Sequence, residues 1–209
     1  MILKQVIEAG GRSAGGFVRL SPRVADAMYE ELQIIHWPDP RLKKVSTEVV
    51  AFDDNLKALA NRMLELMRLH RGVGLAAPQV GINWRLFVMN ATGLPEDDRI
   101  YVNPMLTEAD GEEEAEEGCL SLPEINANIW RAKNMHLEAR DVSGQPVSEN
   151  ASAYIARIWQ HEFDHLNGTL LTDRMGPVAK LASRRKLKEL EAKYNEMHKI
   201  VPKTKKKRA

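Results

Sequence analysis

Cysteine is almost missing from this chain of 209 residues: Cys119 is the only one. No intrachain disulfide can form, and a reducing compartment fits such a chain best. The lone thiol is therefore structural, reactive or a ligand. Long apolar runs are missing as well. Nothing approaches the roughly eighteen consecutive apolar residues of a membrane-spanning helix, and no membrane partner is expected. The N-terminus carries no compact apolar stretch of the kind a secretory signal needs. The expected location is the cytoplasm. The chain also lacks a strong charge of either sign, its formal net charge being +1. That argues against a bulk polyanion partner and against specific nucleic-acid binding. No internal repeat is visible.

What is present has ordinary globular composition, 44% hydrophobic and 28% charged, and the length suits one substantial core. Charge is spread unevenly. Glu112, Glu113, Glu114, Glu116 and Glu117 crowd one segment, while Lys203, Lys205, Lys206, Lys207 and Arg208 end the chain. Residues 1–30 contain the glycine-rich GGRSAGG with Arg12, Arg19 and Arg23, and read as an N-terminal extension, either flexible or a leader for an organelle. Residues 31–200 form the main domain, C-terminal helix included, and residues 201–209 a basic tail.

The pattern predicts an α+β class. IIHWPDPRL is a strand or extended segment running into a turn at Pro38 and Pro40. Asp53 or Asp54 caps a helix whose apolar residues, Leu56, Leu59, Met63 and Met67 among them, recur at helical spacing until Gly72. WRLFVMN reads as a buried strand, IYVNPML as a strand interrupted at Pro104, and NMHLEARD as an alternating strand ended by SGQP. Helical spacing returns over residues 152–166, stopped by Gly168, and again from Val178 to His198.

The first of these late helices carries QHEFDH, Gln160 to His165. Histidines four apart lie on nearly one helix face, about 6 Å apart along the axis, so His161 and His165 can hold one ion. Glu162 is turned about 100° from His161. It stands beside such an ion and can act as a base on water without being a ligand. Exposed histidines on an ordinary helix would give the same letters, and two imidazoles are too few, since a catalytic site usually has three protein ligands. Cys119, in EEGCLSLP, could complete a Cys/His/His set, although a free cysteine is more often a small buried hydrophobe. A third stretch, GVGLAAPQVG, lets the backbone come close to a partner at Gly72 and Gly74, and Gln79 offers both donor and acceptor. It lacks the G-K-[ST] of a phosphate loop.

Taken together, GVGLAAPQ, EGCLS and QHEFDH resemble, in order and spacing, the motifs of the peptide deformylases, and the resemblance runs from about Ile34 to about Leu190. It implies small mixed β-sheets around a central metal-binding helix, with a further helix at the C-terminus. It implies an enzyme that removes the N-formyl group from the initiator methionine of nascent formyl-Met peptides and releases formate. Cys119, His161 and His165 would be the metal ligands and Glu162 the general base and acid. The Gln79 side chain and the Leu120 N–H would stabilise the oxyanion. Gly74 would contact the peptide backbone, and Val73, Tyr154, Ile158 and His161 would line a methionine pocket. Simple core packing fits Tyr154 and Ile158 about as well. Glu117 and Arg131 would form an ion pair that orients the cysteine loop, with a surface pair as the plain alternative.

The implied ion is Fe²⁺, replaceable by Zn²⁺, Ni²⁺ or Co²⁺, although base rates for these donors favour zinc. The C-terminal helix and tail could dock on the ribosome. Two departures stand out. Asn126 occupies a position where some bacterial members carry arginine, and Arg157 stands where some carry an apolar residue, which would alter the pocket edge. An HExxH endopeptidase and a ribosome-associated protein without catalysis are the rival readings.

Overall fold

The computed structural model describes residues 29–200; most of the N-terminal extension and all of the basic tail lie outside the described residues. Helix α1, Asp54–Leu69, begins where Asp53 accepts the N–H groups of Asn55 and Leu56 through one carboxylate oxygen, at 3.0 and 3.1 Å. Two short strands follow, β1 Gly74–Ala76 and β2 Leu86–Met89, separated by a 3₁₀ turn at Ala77–Val80. Then come two long strands, β3 Arg99–Cys119 and β4 Leu122–Arg140, and a shorter β5, Pro146–Ser152. Helix α2 spans Ala153–Leu166, α3 Leu171–Arg174 and α4 Pro177–Met197. The class is α+β, with α2 at its centre. The five strands join in one sheet in chain order, every neighbour antiparallel. Ile34 to Trp37 take the extended rather than the strand option, bonding through Ile35 N–H to Gln79 O and Trp37 N–H to Ser121 O.

The predicted break at Pro104 is a bulge: pairing slips between Val102 and Met105, and β3 continues. Proline has no N–H for the ladder, so a bulge is where a strand tolerates it. A second slip between Thr107 and Asp110 lets the hairpin of β3 and β4 bend. The whole acidic segment from Glu112 to Glu117 is strand, which the sequence reading left unassigned.

Three groups of buried side chains hold these parts. Leu56, Leu59, Met63 and Met67 of α1 pack on Leu75 and Val88. Ile158, Trp159 and Leu166 of α2 pack on Phe87, Tyr101 and Leu137. Leu122 and Ile129 of the hairpin meet Leu171, Met175 and Leu190, with Cys119 at the edge of that group. Each fully buried side chain of this size contributes roughly 1.5–3 kcal/mol, so α2 is anchored firmly on the sheet. Its C-terminal stop is steric too. Gly168 has φ 68°, and a Cβ there would stand 2.9 Å from the carbonyl carbon of Lys43.

Candidate metal centre

The hairpin ends at Cys119, a turn of Leu120 and Ser121 follows, and β4 starts at Leu122. That turn is laid against α2. Cys119 Sγ lies 3.3 Å from His165 Nε2, and one ligand atom from each of Cys119, His161 and His165 falls within 4.8 Å of the others. Two ligands sharing one ion at ordinary Zn–S and Zn–N lengths with tetrahedral angles stand about 3.5 Å apart. The three donors therefore suit a single small cation. Cys119 and His165 are buried and His161 nearly so.

Charge around the donors points the same way. His161 Nδ1 donates to Glu117 Oε2 at 2.9 Å, turning its other ring nitrogen toward the sulfur. Burial opposes a proton on His161, but the hydrogen bonds with Cys119 and Glu117 outweigh it and hold the imidazole well above its usual range. Positive charge is thus favoured between these groups, whether a proton or a metal ion supplies it. Burial and the neighbouring His161 and Arg131 push His165 well below its usual range, toward the neutral form a ligand requires. Burial would raise Glu117, but bonds from His161 and Arg131 bring its carboxyl down to about 2.

Glu162 faces the same cleft without joining the donor set. Burial is the main cause that pushes its carboxyl up to about 7. Its Oε2 is buried and has no hydrogen-bond partner among the described residues. Gly74 makes room for it, since a Cβ at that position would stand 2.8 Å from Glu162 Cδ. Gln79 is oriented by the backbone: Ala76 N–H donates to its Oε1 at 2.8 Å, so its amide nitrogen points to Cys119 Sγ at 3.6 Å and Ser121 Oγ at 3.4 Å.

The cleft measures about 650 Å³, and Val73, Gly74, Leu120, Tyr154 and Ile158 line it together with Cys119 and His161, with His165 behind them. Tyr154 is 53% exposed and belongs to the rim rather than the core, whereas Ile158 serves both cleft and core. Asn126 also lines the cleft and donates to Glu116 Oε1 at 3.3 Å. The Glu117–Arg131 pair is buried, not a surface pair. Arg131 Nε and Nη2 donate to the two carboxylate oxygens at 2.9 and 3.0 Å.

Sequence reasoning missed Asp164 in this network and placed Arg157 only at the pocket edge. Asp164 accepts from Arg131 Nη1 at 2.5 Å and from Arg174 Nε at 3.0 Å. It sits inside QHEFDH, three residues after His161, and that proximity was the available signal. Arg157 lines the cleft, but its guanidinium turns inward to Glu117, 2.8 Å from Oε1.

The polypeptide deformylase family model matches residues 31–181. A peptide deformylase of Thermotoga maritima is 47% identical over 153 residues, 73% of this chain and 92% of its own length. The chloroplastic peptide deformylase 1B of Oryza sativa is 40% identical over 176 residues, 82% of this chain and 65% of its own. The crystal structure of the Plasmodium falciparum peptide deformylase superposes with a TM-score of 0.78 at 40% identity, covering 79% of this chain and 99% of that one. With the donors, the carboxylate and the amide converging in one cleft, the chain belongs to the polypeptide deformylase family, whose metal-dependent hydrolases remove the N-formyl group from nascent polypeptides.

Proposed function

We propose that Cys119, His161 and His165 hold one divalent ion and that Glu162, Gln79 and Leu120 carry the hydrolysis of the formyl amide. The observation that supports this reading most is the meeting of a strand-end sulfur with two imidazoles of α2, a buried carboxylate beside them and outside the donor set. When bound, the ion supplies Lewis-acid activation of water and of the formyl carbonyl. Glu162 takes a proton from water and later returns it to the leaving amine of methionine. Its elevated carboxyl suits a group that must both accept and give a proton near neutral pH. The Gln79 amide N–H and the Leu120 backbone N–H donate to the formyl oxygen as negative charge develops there. Gly74 presents its backbone to the peptide, and Val73, Tyr154 and Ile158 surround the methionine side chain. The buried Glu117–Arg131 pair orients the Cys119 turn and the His161 ring.

Residues 31–200 constitute the catalytic domain. The working ion is Fe²⁺, displaced readily by Zn²⁺, because a Cys/His/His set binds zinc more tightly than ferrous iron, while Ni²⁺ and Co²⁺ also suit it. The protein works in the cytoplasm on nascent formyl-Met chains, and the cations of α4 and the tail bring it to the ribosome. The test is formate release from formyl-Met-Ala-Ser by protein purified without oxygen and reloaded with each metal. Turnover with Fe²⁺ or Ni²⁺ is expected to exceed turnover with Zn²⁺. Equal or higher activity with zinc would overturn the iron assignment, and release without any metal would overturn the site.

A further inference from the structure

A buried guanidinium needs a reason, because desolvating a cation is costly unless every donor is matched. Arg157 is 6% exposed, and three acceptors meet it. Its Nη1 donates to Glu117 Oε1 and to Ile129 O, each at 2.8 Å, and its Nη2 donates to Glu113 O at 2.6 Å. These acceptors come from both strands of the hairpin. Arg157 also stands four residues before His161 on α2, hence on the same helix face. His161 Nδ1 bonds the other oxygen of the same carboxylate, Glu117 Oε2, at 2.9 Å. Two consecutive turns of one helix therefore grip the two oxygens of one carboxylate.

We infer that Arg157 is a positioning residue: with His161 it clasps Glu117 from successive turns of α2 and so sets Cys119 against the two histidines. The packed face of α2 already fixes the helix on the sheet, but a single bond would leave the carboxylate free to turn between them. A second, one turn away, fixes its rotation. Glu117 and Cys119 are both buried and only two residues apart, on either side of the pairing shift at Gly118, so the backbone couples their positions. Whatever holds Glu117 to α2 also holds the sulfur to the imidazoles of α2. The bonds to Glu113 O and Ile129 O anchor the clasp in backbone, which a flexible side-chain partner would not do. The planar guanidinium serves all three acceptors at once, whereas a lysine ammonium on its single tip cannot reach them together.

The clasp rests on the ligand set proposed above, and the experiment separates the two. Cobalt-loaded wild type, Arg157→Met, Arg157→Lys and Cys119→Ala are compared for cobalt release to a chelator, cobalt–thiolate absorption, kcat and KM. Arg157→Met keeps an unbranched stem against the cleft and removes the donors. Its cobalt release is expected to quicken about 10- to 100-fold. The thiolate band should shift, and kcat should fall with KM unchanged. Arg157→Lys is expected between this variant and wild type. Wild-type release and absorption in Arg157→Met would overturn the clasp, as would a rise in KM alone, which would place Arg157 against substrate. If Arg157→Met fails to fold, Arg157→Lys decides on the same readouts, and wild-type release there overturns the clasp. Retention of cobalt by Cys119→Ala removes the ligand set and the clasp with it. Loss there, together with wild-type retention in Arg157→Met, removes the clasp alone.

Discussion

Gln79 was legible as a residue with a donor and an acceptor, and the resemblance implied its oxyanion role, but what aims the donor at the centre was not legible. Its orientation depends on Ala76 N–H, which takes the carbonyl oxygen at 2.8 Å and leaves the amide nitrogen for the cleft. Gln79→Leu removes that donor and its hydrogen bond to Cys119 Sγ but none of the proposed metal donors themselves. Turnover should fall by about 10²- to 10³-fold, the usual cost of one oxyanion donor. Metal stoichiometry should stay at the wild-type value, and parallel measurement of kcat and bound metal checks both halves. Full turnover would take the amide out of the reaction. Arg157 shows a different limit. Its place one turn before His161 was plain, but Glu113 O and Ile129 O arrive from strands far off in the chain. Periodicity records which face a residue occupies and says nothing about which distant backbone will meet it.

At the scale of elements, α1 and α2 were legible because each buries an apolar stripe on one side. Asp53 and Asp54 competed as the cap of α1, and the geometry selects Asp53. Asp53→Ala exposes two backbone N–H groups at the start of α1 and should lower stability by about 1 kcal/mol. The cap lies outside the donor set, so kcat/KM should be unchanged; urea unfolding beside a kinetic assay reads the two separately. The acidic half of β3 escaped notice for a reason tied to function. Its inward row near the site runs Glu113, Ala115, Glu117, Cys119, where an ordinary strand would show apolar residues. Glu117 is inward because it serves the ion-pair network, and Glu113 lends its carbonyl to Arg157. The outward row, Glu112, Glu114 and Glu116, is acidic too, so no alternation of polarity remained to be read.

For the whole molecule, a net charge of +1 conceals a separation of charge along the chain. The hairpin carries the acids, whereas Lys180, Arg184, Arg185 and Lys188 are exposed on α4, followed by Lys203, Lys205, Lys206, Lys207 and Arg208. Helix α4 is held to the hairpin through Leu190, so a surface bound by its cations would lie on the same rigid unit as the cleft. An enzyme acting on chains as they emerge gains from such a hold, since tethering raises the local concentration of its substrate. Each cation paired with RNA phosphate releases a counterion, adding roughly 0.7–0.9 to the slope of log affinity against log salt. Removing residues 201–209 should therefore weaken co-sedimentation with ribosomes and flatten its salt dependence, while formate release from a short formyl-Met peptide proceeds at the wild-type rate. Affinity and slope both unchanged would mean that the tail makes no phosphate contact and that any ribosome binding belongs to α4. A slower reaction on the short peptide would mean instead that the tail supports the catalytic domain itself.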